Sequence, residues 1–350
     1  MLRRQDVGHR IVVRRVVGST GGRTLFSDAL GELVDLTETH LVLATATGPL
    51  RVPLAEVHRA KRVPPARRPS ATAVVALERA ADEAWPAPVR DRLGDWLLRA
   101  ADGWTGRANS ALPIGDPDRP LDDAIDAVRR WYADRGQPAL VNVPLPLAAP
   151  VGAALDERGW GARPLVLVQT APVAAILDAA PARPELPPVE LTRAPSAAWL
   201  ALAAGRKAKQ ARRRGDAVAG PTVEPDAGAE PPAAARHLLT AVPQVRFAHV
   251  YADTPEPAGR ELVAAARGTV TGGGRWLGLG LVEVVPPARR RGLARHVVRA
   301  LAQWAAELGA THAFLQVEER NFGAVELYRG LGFTTHHTYQ TRTEPPAGTA

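Results

Sequence analysis

Apolar and polar positions alternate in four short runs near the start of the chain, at residues 10–17, 28–35, 40–45 and 50–53. Turn-forming residues at 18–22 and 47–49 separate the runs, as expected between antiparallel strands. The pattern predicts a small β-barrel over residues 1–65. The proline-rich basic stretch 59–69 is typical of a linker.

The apolar spacing becomes helical from residue 71, and a first helix is predicted over 71–84. Two later stretches, 205–216 and 220–235, have little apolar surface to bury, so we expect exposed and partly mobile chain there. The final residues, 344–350, are expected to form a disordered tail.

An internal repeat lies between these stretches. Trp131 and Trp304, Gly136 and Gly309, and Gly159 and Gly332 are each 173 residues apart. The order of predicted elements is the same around both sets: helix, short strand, helix, and a strand that begins with glycine and an aromatic residue. The repeat predicts two related halves, 70–180 and 188–343, joined by a proline-rich hinge.

The amino-acid composition excludes several kinds of functional site. The chain has 350 residues, of which 46% are apolar, enough for two or three packed domains. It has no cysteine, which excludes disulfides, thiol nucleophiles and cysteine-based metal sites. No leader-like or membrane-spanning run stands out, so we expect a cytoplasmic protein with no membrane partner and no metal.

The net charge of +8 is weak evidence for nucleic-acid binding. Only three of the 44 basic residues are lysines, which points to a compositional preference for arginine. Residues 1–69 hold 12 Arg and Lys against 6 Asp and Glu, so an acidic partner for this region is an open hypothesis. Phe26 is its only aromatic residue, too few for a base-stacking surface.

The clearest chemical motif follows a predicted strand over 276–285, which Pro286 and Pro287 end because proline cannot donate to a sheet ladder. A loop with three arginines and Gly292 comes next, and then a predicted amphipathic helix over 295–308. Strand, glycine-containing loop and helix form the usual cradle for a phosphate, because unpaired N–H groups and the helix dipole stabilise negative charge. A solvated run of arginines is the alternative interpretation.

These residues resemble the GNAT superfamily of N-acyltransferases. Residues 284–294 are similar to its cofactor signature, a strand followed by Arg/Gln-x-x-Gly-x-Gly/Ala. A second set of residues is similar to the closing half of the same core: Asn321, Ala324, Leu327, Tyr328, Gly332 and Phe333. The resemblance covers about 245–341 and implies an α/β (α+β) fold, in which helices flank a central mixed sheet.

The remaining regions also resemble parts of this superfamily. Residues 1–65 look like an SH3-like barrel, and 94–110 resemble a strand pair of two-half GNAT proteins of actinobacterial type. The first half departs from the pattern, because its loop 116–121 has acidic residues and a proline but no glycine. Leu155 also stands where the second half has Tyr328. We therefore expect a degenerate half at 70–180 and a catalytic domain at 188–343.

The resemblance implies that acetyl-CoA is the cofactor and that backbone N–H groups from Arg291 to Ala294 hold its pyrophosphate. The implied cofactor-binding residues are Val284, Val285, Arg289, Arg290, Arg291, Gly292, Leu293, Ala294, Arg295 and Asn321. Tyr328 is the implied general acid, since a phenol with a pKa of ~10 is protonated at neutral pH. A packing role in the core is its alternative.

Glu283 is the candidate base that deprotonates the amine, with Glu318 and Glu319 as competitors. His249, in an apolar run, is more typical of a core histidine. Arg99, Arg107 and Asn109 could bind an anionic part of the acceptor, although a structural role is favoured.

The sequence therefore predicts an N-acetyltransferase that moves an acetyl group from acetyl-CoA to a primary amine by direct attack in a ternary complex. The acceptor could be a small molecule or an amine of a protein or peptide, a tRNA- or peptide-directed acyltransferase is a further possibility, and the oligomeric state is left open. The alternative is a regulatory or chromatin-associated module that binds acetyl-CoA with little turnover.

Overall fold

The computed structural model describes residues 2–20, 23–45, 48–63, 69–214, 232–253 and 259–345. The chain divides into two compact units, Met1–Arg68 and Pro69–Ala350. Among the described residues, no helix has the length and apolar character needed to cross a membrane.

The first unit is a five-stranded antiparallel sheet. Its strands are β1 (Arg10–Thr20), β2 (Arg23–Leu36), β3 (His40–Thr45), β4 (Gly48–Pro53) and β5 (Val57–Arg62). They lie in the order β4-β3-β2-β1-β5 around a small core that includes Ile11, Leu33 and Leu43. No strand pairing joins β4 to β5 within the described part of this unit, so the predicted closed barrel is not found.

The helices of the second unit are α1 (Ala71–Glu83), α2 (Leu121–Ala133), α3 (Ala149–Glu157), α4 (Val173–Ala179), α5 (Ala197–Arg214), α6 (Ala233–Thr240), α7 (Leu293–Glu307) and α8 (Phe322–Arg329). The strands are β6 (Val89–Leu93), β7 (Trp96–Ala100), β8 (Leu140–Leu145), β9 (Gly161–Ala162), β10 (Val166–Pro172), β11 (Glu190–Thr192), β12 (Val245–Asp253), β13 (Arg260–Thr271), β14 (Trp276–Val284), β15 (His312–Glu318) and β16 (Thr334–Thr343). The α1 prediction is confirmed, and Ser70 caps this helix by accepting a hydrogen bond from Ala73 N.

One mixed sheet runs through the second unit in the order β11-β12-β13-β14-β15-β10-β16-β8, with β9 beside β16. Only the β14–β15 pair is parallel among these described strands. Helices α4, α7 and α8 pack on one face through a core that includes Val297, Leu315 and Tyr328. Helices α1, α5 and α6 pack on the other face, through Leu77 and Trp199 among others.

The internal repeat is confirmed as a structural repeat. Helix α2, strand β8 and helix α3 recur about 173 residues later as α7, β15 and α8. The halves share strands, because β10 of the first pairs with β15 of the second and β8 pairs with β16. Val166 of β10 pairs with Tyr339 of β16, and these two residues are themselves 173 residues apart, so they hold equivalent positions in the two halves. The predicted boundary between the halves therefore cuts across a single sheet.

Three segments that were expected to be exposed or disordered contain a helix or a tertiary hydrogen bond. Helix α5 continues to Arg214, within the predicted exposed stretch 205–216. Helix α6 begins at Ala233 and buries Ala235, so the end of the 220–235 stretch is part of the core. Glu344 accepts a hydrogen bond from Arg129 at 2.7 Å and lies at the start of the predicted tail. The expectations for 215–231 and 346–350 lie outside the described residues.

Candidate functional site

The centre of the sheet opens between the two parallel strands. Strands β14 and β15 pair from Trp276 opposite His312 to Leu279 opposite Leu315. Both strands continue further, β14 to Val284 and β15 to Glu318, without further pairing between them. The two strands therefore diverge and leave a wedge-shaped opening toward their C-terminal ends.

A β-bulge in β14 lies where the opening begins. Ala265 pairs with Glu283 and Arg267 with Gly280, so two residues of β14 stand opposite one residue of β13. Leu281 in the bulge has a φ of 54°. This left-handed conformation is uncommon for a leucine, and a bulge of this kind takes a residue out of the regular ladder and bends the strand.

The loop after β14 carries the predicted phosphate cradle. Gly292 is the N-cap of α7 and has a φ of 91°, a conformation that glycine adopts without steric cost. The first intrahelical bond runs from His296 N to Gly292 O at 3.0 Å. The N–H groups of the preceding turn, including those of Leu293 and Ala294, therefore have no acceptor within the helix and lie at its positive end.

The arginines of the signature are held in different ways. Arg289 donates from Nε to Val284 O at 3.0 Å and from Nη2 to Glu283 Oε1 at 3.2 Å. Arg290, with a φ of 65°, and Arg291 are exposed beside the helix start. Arg295 donates from Nη1 to the carbonyls of Ala179 and Gly330, so its side chain joins the ends of two helices.

Other predicted ligands lie around the same loop. Val284 and Leu293 are buried in the core beneath α7, and Val285 N donates to Val263 O at 3.0 Å. Asn321 is exposed at the N-cap of α8, where its carbonyl accepts from Ala324 N and Val325 N. Its backbone thus begins the helix that carries Tyr328.

Tyr328 is 8% exposed and lies in the core on the α7 face of the sheet. Its ring packs edge-on against Phe333, with the ring centroids 5.7 Å apart. The position satisfies the packing interpretation, and it also places the residue on the helix that follows β15 beside the opening. The role of Tyr328 in acid catalysis stays a prediction.

Glu283 lies on the opposite face. Its pairing partner Ala265 packs in the same core as Trp199, on the α5 and α6 side. Its side chain is 22% exposed and pairs with Arg289. Glu318 shares this face of β15 with Phe314 and pairs with Arg320 at 3.0 Å. The opening is thus bordered by a carboxylate on each diverging strand.

The structural interpretations of three other candidates are confirmed. His249 is 2% exposed; Nδ1 lies 3.1 Å from Phe247 O, and Nε2 accepts from Ser196 N at 3.3 Å. Burial lowers the pKa of His249, which favours the neutral ring. Arg99 binds Ser110 and the buried carboxylate of Asp82. Asn109 Oδ1 accepts from the N–H groups of a turn.

The resemblance to the GNAT superfamily implies a bulged central strand, but the sequence did not show that the bulge lies at Leu281. Its only signal is the pair Gly278 and Gly280 within β14, because glycine inside a strand often marks a bulge or a close approach. The type of the bulged residue itself gave no indication.

The mixed sheet, the diverging parallel strands and the glycine-capped α7 define an acyltransferase of GNAT type. The family model for the probable histone acetyltransferase Rv0428c C-terminal matches residues 71–342, and the chain belongs to this family. The probable histone acetyltransferase Rv0428c of Mycobacterium tuberculosis is 30% identical over 342 residues, covering 95% of this chain and 93% of that protein.

Two further proteins are similar. The uncharacterized N-acetyltransferase YobR of Bacillus subtilis is 25% identical over 269 residues, covering 76% of this chain and 97% of that protein. The solved structure of a GCN5-related N-acetyltransferase from Kribbella flavida has a TM-score of 0.52 and 20% identity, and the match covers 81% of this chain and 98% of that one. At this identity the structural similarity supports the fold.

Proposed function

We propose that the protein transfers an acetyl group from acetyl-CoA to a primary amine by direct attack in a ternary complex. The observation that carries this proposal is that the loop before α7 follows the C-terminal end of β14, the same end at which β14 and β15 no longer pair. A single acetyl-CoA molecule would place its diphosphate at the start of α7 and its thioester in the opening between the strands.

The loop residues fit the diphosphate of coenzyme A. Gly292 has no side chain to cover the N–H groups of the helix start, and its φ of 91° disfavours every larger residue. Arg290 and Arg291 add positive charge at the same end of α7. Backbone N–H donors combined with a helix dipole form a common diphosphate site.

Acetyl-CoA supplies the acetyl thioester, and the chain supplies positioning and proton transfer. A backbone N–H group of the bulged part of β14 polarises the thioester carbonyl, as in an oxyanion hole. Glu283 accepts the proton of the attacking amine, directly or through water, from the α5 and α6 side. Tyr328 donates a proton to the departing thiolate from the α8 side. Because the chain has no cysteine, no cysteinyl acyl-enzyme can form.

The acceptor is the finer part of the proposal. The M. tuberculosis relative carries the name of a probable histone acetyltransferase, so the lysine of a basic protein is the first acceptor class to test. Small amines are the second class. The first unit, with an excess of Arg and Lys and an SH3-like strand pattern, would serve to bind an acidic partner, and the enzyme would act in the cytoplasm.

The test is release of free coenzyme A from acetyl-CoA in the presence of histone-tail peptides, polyamines and simple primary amines. A thiol reagent suits this protein, because the chain has no cysteine and contributes no background. Amine-dependent thiol release, with an acetylated acceptor detected by mass spectrometry, is the expected result. Tight acetyl-CoA binding without thiol release across the panel would favour the regulatory binding module instead.

A further inference from the structure

The hinge between the two halves lies along helix α7. Arg299 donates from Nη1 to Ala180 O at 2.7 Å, and His296 Nε2 lies 3.1 Å from Pro187 O. Leu186 packs against the core beneath the same helix. The segment 180–188 is thus attached to α7 at both ends, although the sequence indicated only a proline-rich connection.

This attachment brings Arg183 to the phosphate loop. A Cβ atom placed on Gly292 would lie 3.2 Å from Arg183 Nη1 and 3.9 Å from Leu186 Cδ1. Arg183 also donates from Nε to Glu185 Oε1, and both side chains are about half exposed to solvent. A guanidinium from the hinge therefore stands directly over the N-cap of α7.

We infer that Arg183 binds a phosphate group of coenzyme A and that Glu185 occupies its guanidinium when no cofactor is bound. The inference rests on the proposed function, and it assigns a cofactor ligand to a segment outside the GNAT signature. A planar guanidinium can donate two parallel hydrogen bonds to a phosphate, as it does to a carboxylate. Phosphate and Glu185 would thus compete for one partner.

The charges around the loop support this exchange. The hydrogen bond from Arg183 lowers the pKa of Glu185, so this residue is an anion at neutral pH. An anion beside the cradle repels the phosphate, and it also holds the cation that the phosphate needs. The two residues should therefore have opposite effects on cofactor affinity.

The experiment measures acetyl-CoA binding by calorimetry for wild type, Arg183→Ala, Glu185→Gln and the control Arg119→Ala. Arg119 is an exposed arginine before α2, so the control matches the change in net charge. Arg183→Ala should weaken binding about tenfold, the scale of one charge-assisted hydrogen bond in partial contact with water. Glu185→Gln should tighten binding severalfold, and Arg119→Ala should leave it unchanged.

Two further ligands identify the phosphate. S-acetyl-pantetheine lacks the diphosphate and the nucleotide, so Arg183→Ala should not change its binding. Acetylated dephospho-coenzyme A keeps the diphosphate but lacks the 3′-phosphate. A full Arg183 effect with this ligand assigns the diphosphate, and loss of the effect assigns the 3′-phosphate.

Unchanged acetyl-CoA affinity in folded Arg183→Ala, or a weakened affinity in both Arg183→Ala and Glu185→Gln, would overturn the inference. The second result would mean that the ion pair only supports the hinge. Failure of the wild type to bind acetyl-CoA would instead refute the proposed function, so the two failures are distinguishable.

Discussion

The loop before α2 and the loop before α7 occupy equivalent places in the internal repeat, yet they differ in charge and in the residue at the helix start. In the first, two backbone N–H groups donate to carboxylates of the chain itself. Asp118 N donates to Asp116 Oδ1 at 2.8 Å, and Asp116 N donates to Asp95 Oδ2 at 3.2 Å. Pro120 at the N-cap has no N–H to offer, and Asp122 lies in the first turn of α2.

The second loop reverses each of these features. Gly292 replaces the proline at the N-cap, and arginines replace the aspartates. The parallel pairing also differs between the halves. The first half has one parallel bridge, between Ala111 and Val141, whereas β14 and β15 of the second half pair at four positions and β14 has a bulge. The anion site proposed for the second half therefore depends on the residues at the helix start as well as on the fold of the half.

The largest expected difference concerns two tyrosines. Tyr328→Phe should lower single-turnover rates by ~10²- to 10⁴-fold with nearly unchanged acetyl-CoA affinity, since only the proton donor is lost. The measurement is rapid-quench or stopped-flow kinetics across pH. Unchanged rates would remove Tyr328 from the mechanism and leave water as the donor.

Tyr132→Phe is the matched control in the first half. Tyr132 OH is buried and donates to Arg99 O at 2.8 Å. Burial raises the pKa of this phenol, so it stays a donor at every pH of interest. Its loss should reduce the free energy of unfolding by about 1–3 kcal/mol, because a buried carbonyl loses its partner, while turnover is kept. Denaturant unfolding measures the change.

The second expected effect is at the cradle. Gly292→Glu should weaken acetyl-CoA binding roughly 10²- to 10³-fold, comparable to the loss of one or two charge-assisted hydrogen bonds, because a carboxylate would cover the helix start. Arg119→Glu adds the same type of side chain at the equivalent loop and should have no effect. Equal affinities for wild type and a folded Gly292→Glu variant would contradict the assignment of the loop.

The third effect tests the carboxylates at the opening. Glu283→Gln should lower kcat by about 10²-fold, at the lower end for a general base, because water near a partly exposed site can replace it. Glu318→Gln should change kcat little. The reverse ranking in steady-state kinetics would move the base to β15.

The smallest effect is in stoichiometry. One coenzyme A should bind per chain, because the first loop has aspartates that repel phosphate, and two of its backbone N–H groups already donate to carboxylates. Calorimetry or native mass spectrometry counts the ligands. A ratio of two would show that the first loop rearranges to bind an anion.

Local signals predicted much of this protein. The repeat, helix α1, the strand–loop–helix around Gly292 and the helix with Tyr328 all follow from periodicity, proline positions and glycine. The roles of Tyr328 as acid and of the cofactor-binding residues came instead from the resemblance to the GNAT superfamily, and they stay predictions. The closed barrel was not found, because alternation predicts strands but does not say whether the first and last strands of a sheet meet.

From the amino-acid sequence, helix α1 and the strand–loop–helix around Gly292 could be predicted, and the loop could be proposed as a phosphate site, since capping, turn chemistry and amphipathic spacing act between neighbours in the chain. The folded structure was needed to show that β10 and β16 pair across the two halves, that the bulge of β14 lies at Leu281, and that Arg183 lies near Gly292. These features depend on contacts between residues far apart in the chain. Their energies come from shared packing and pairing, which no local pattern encodes.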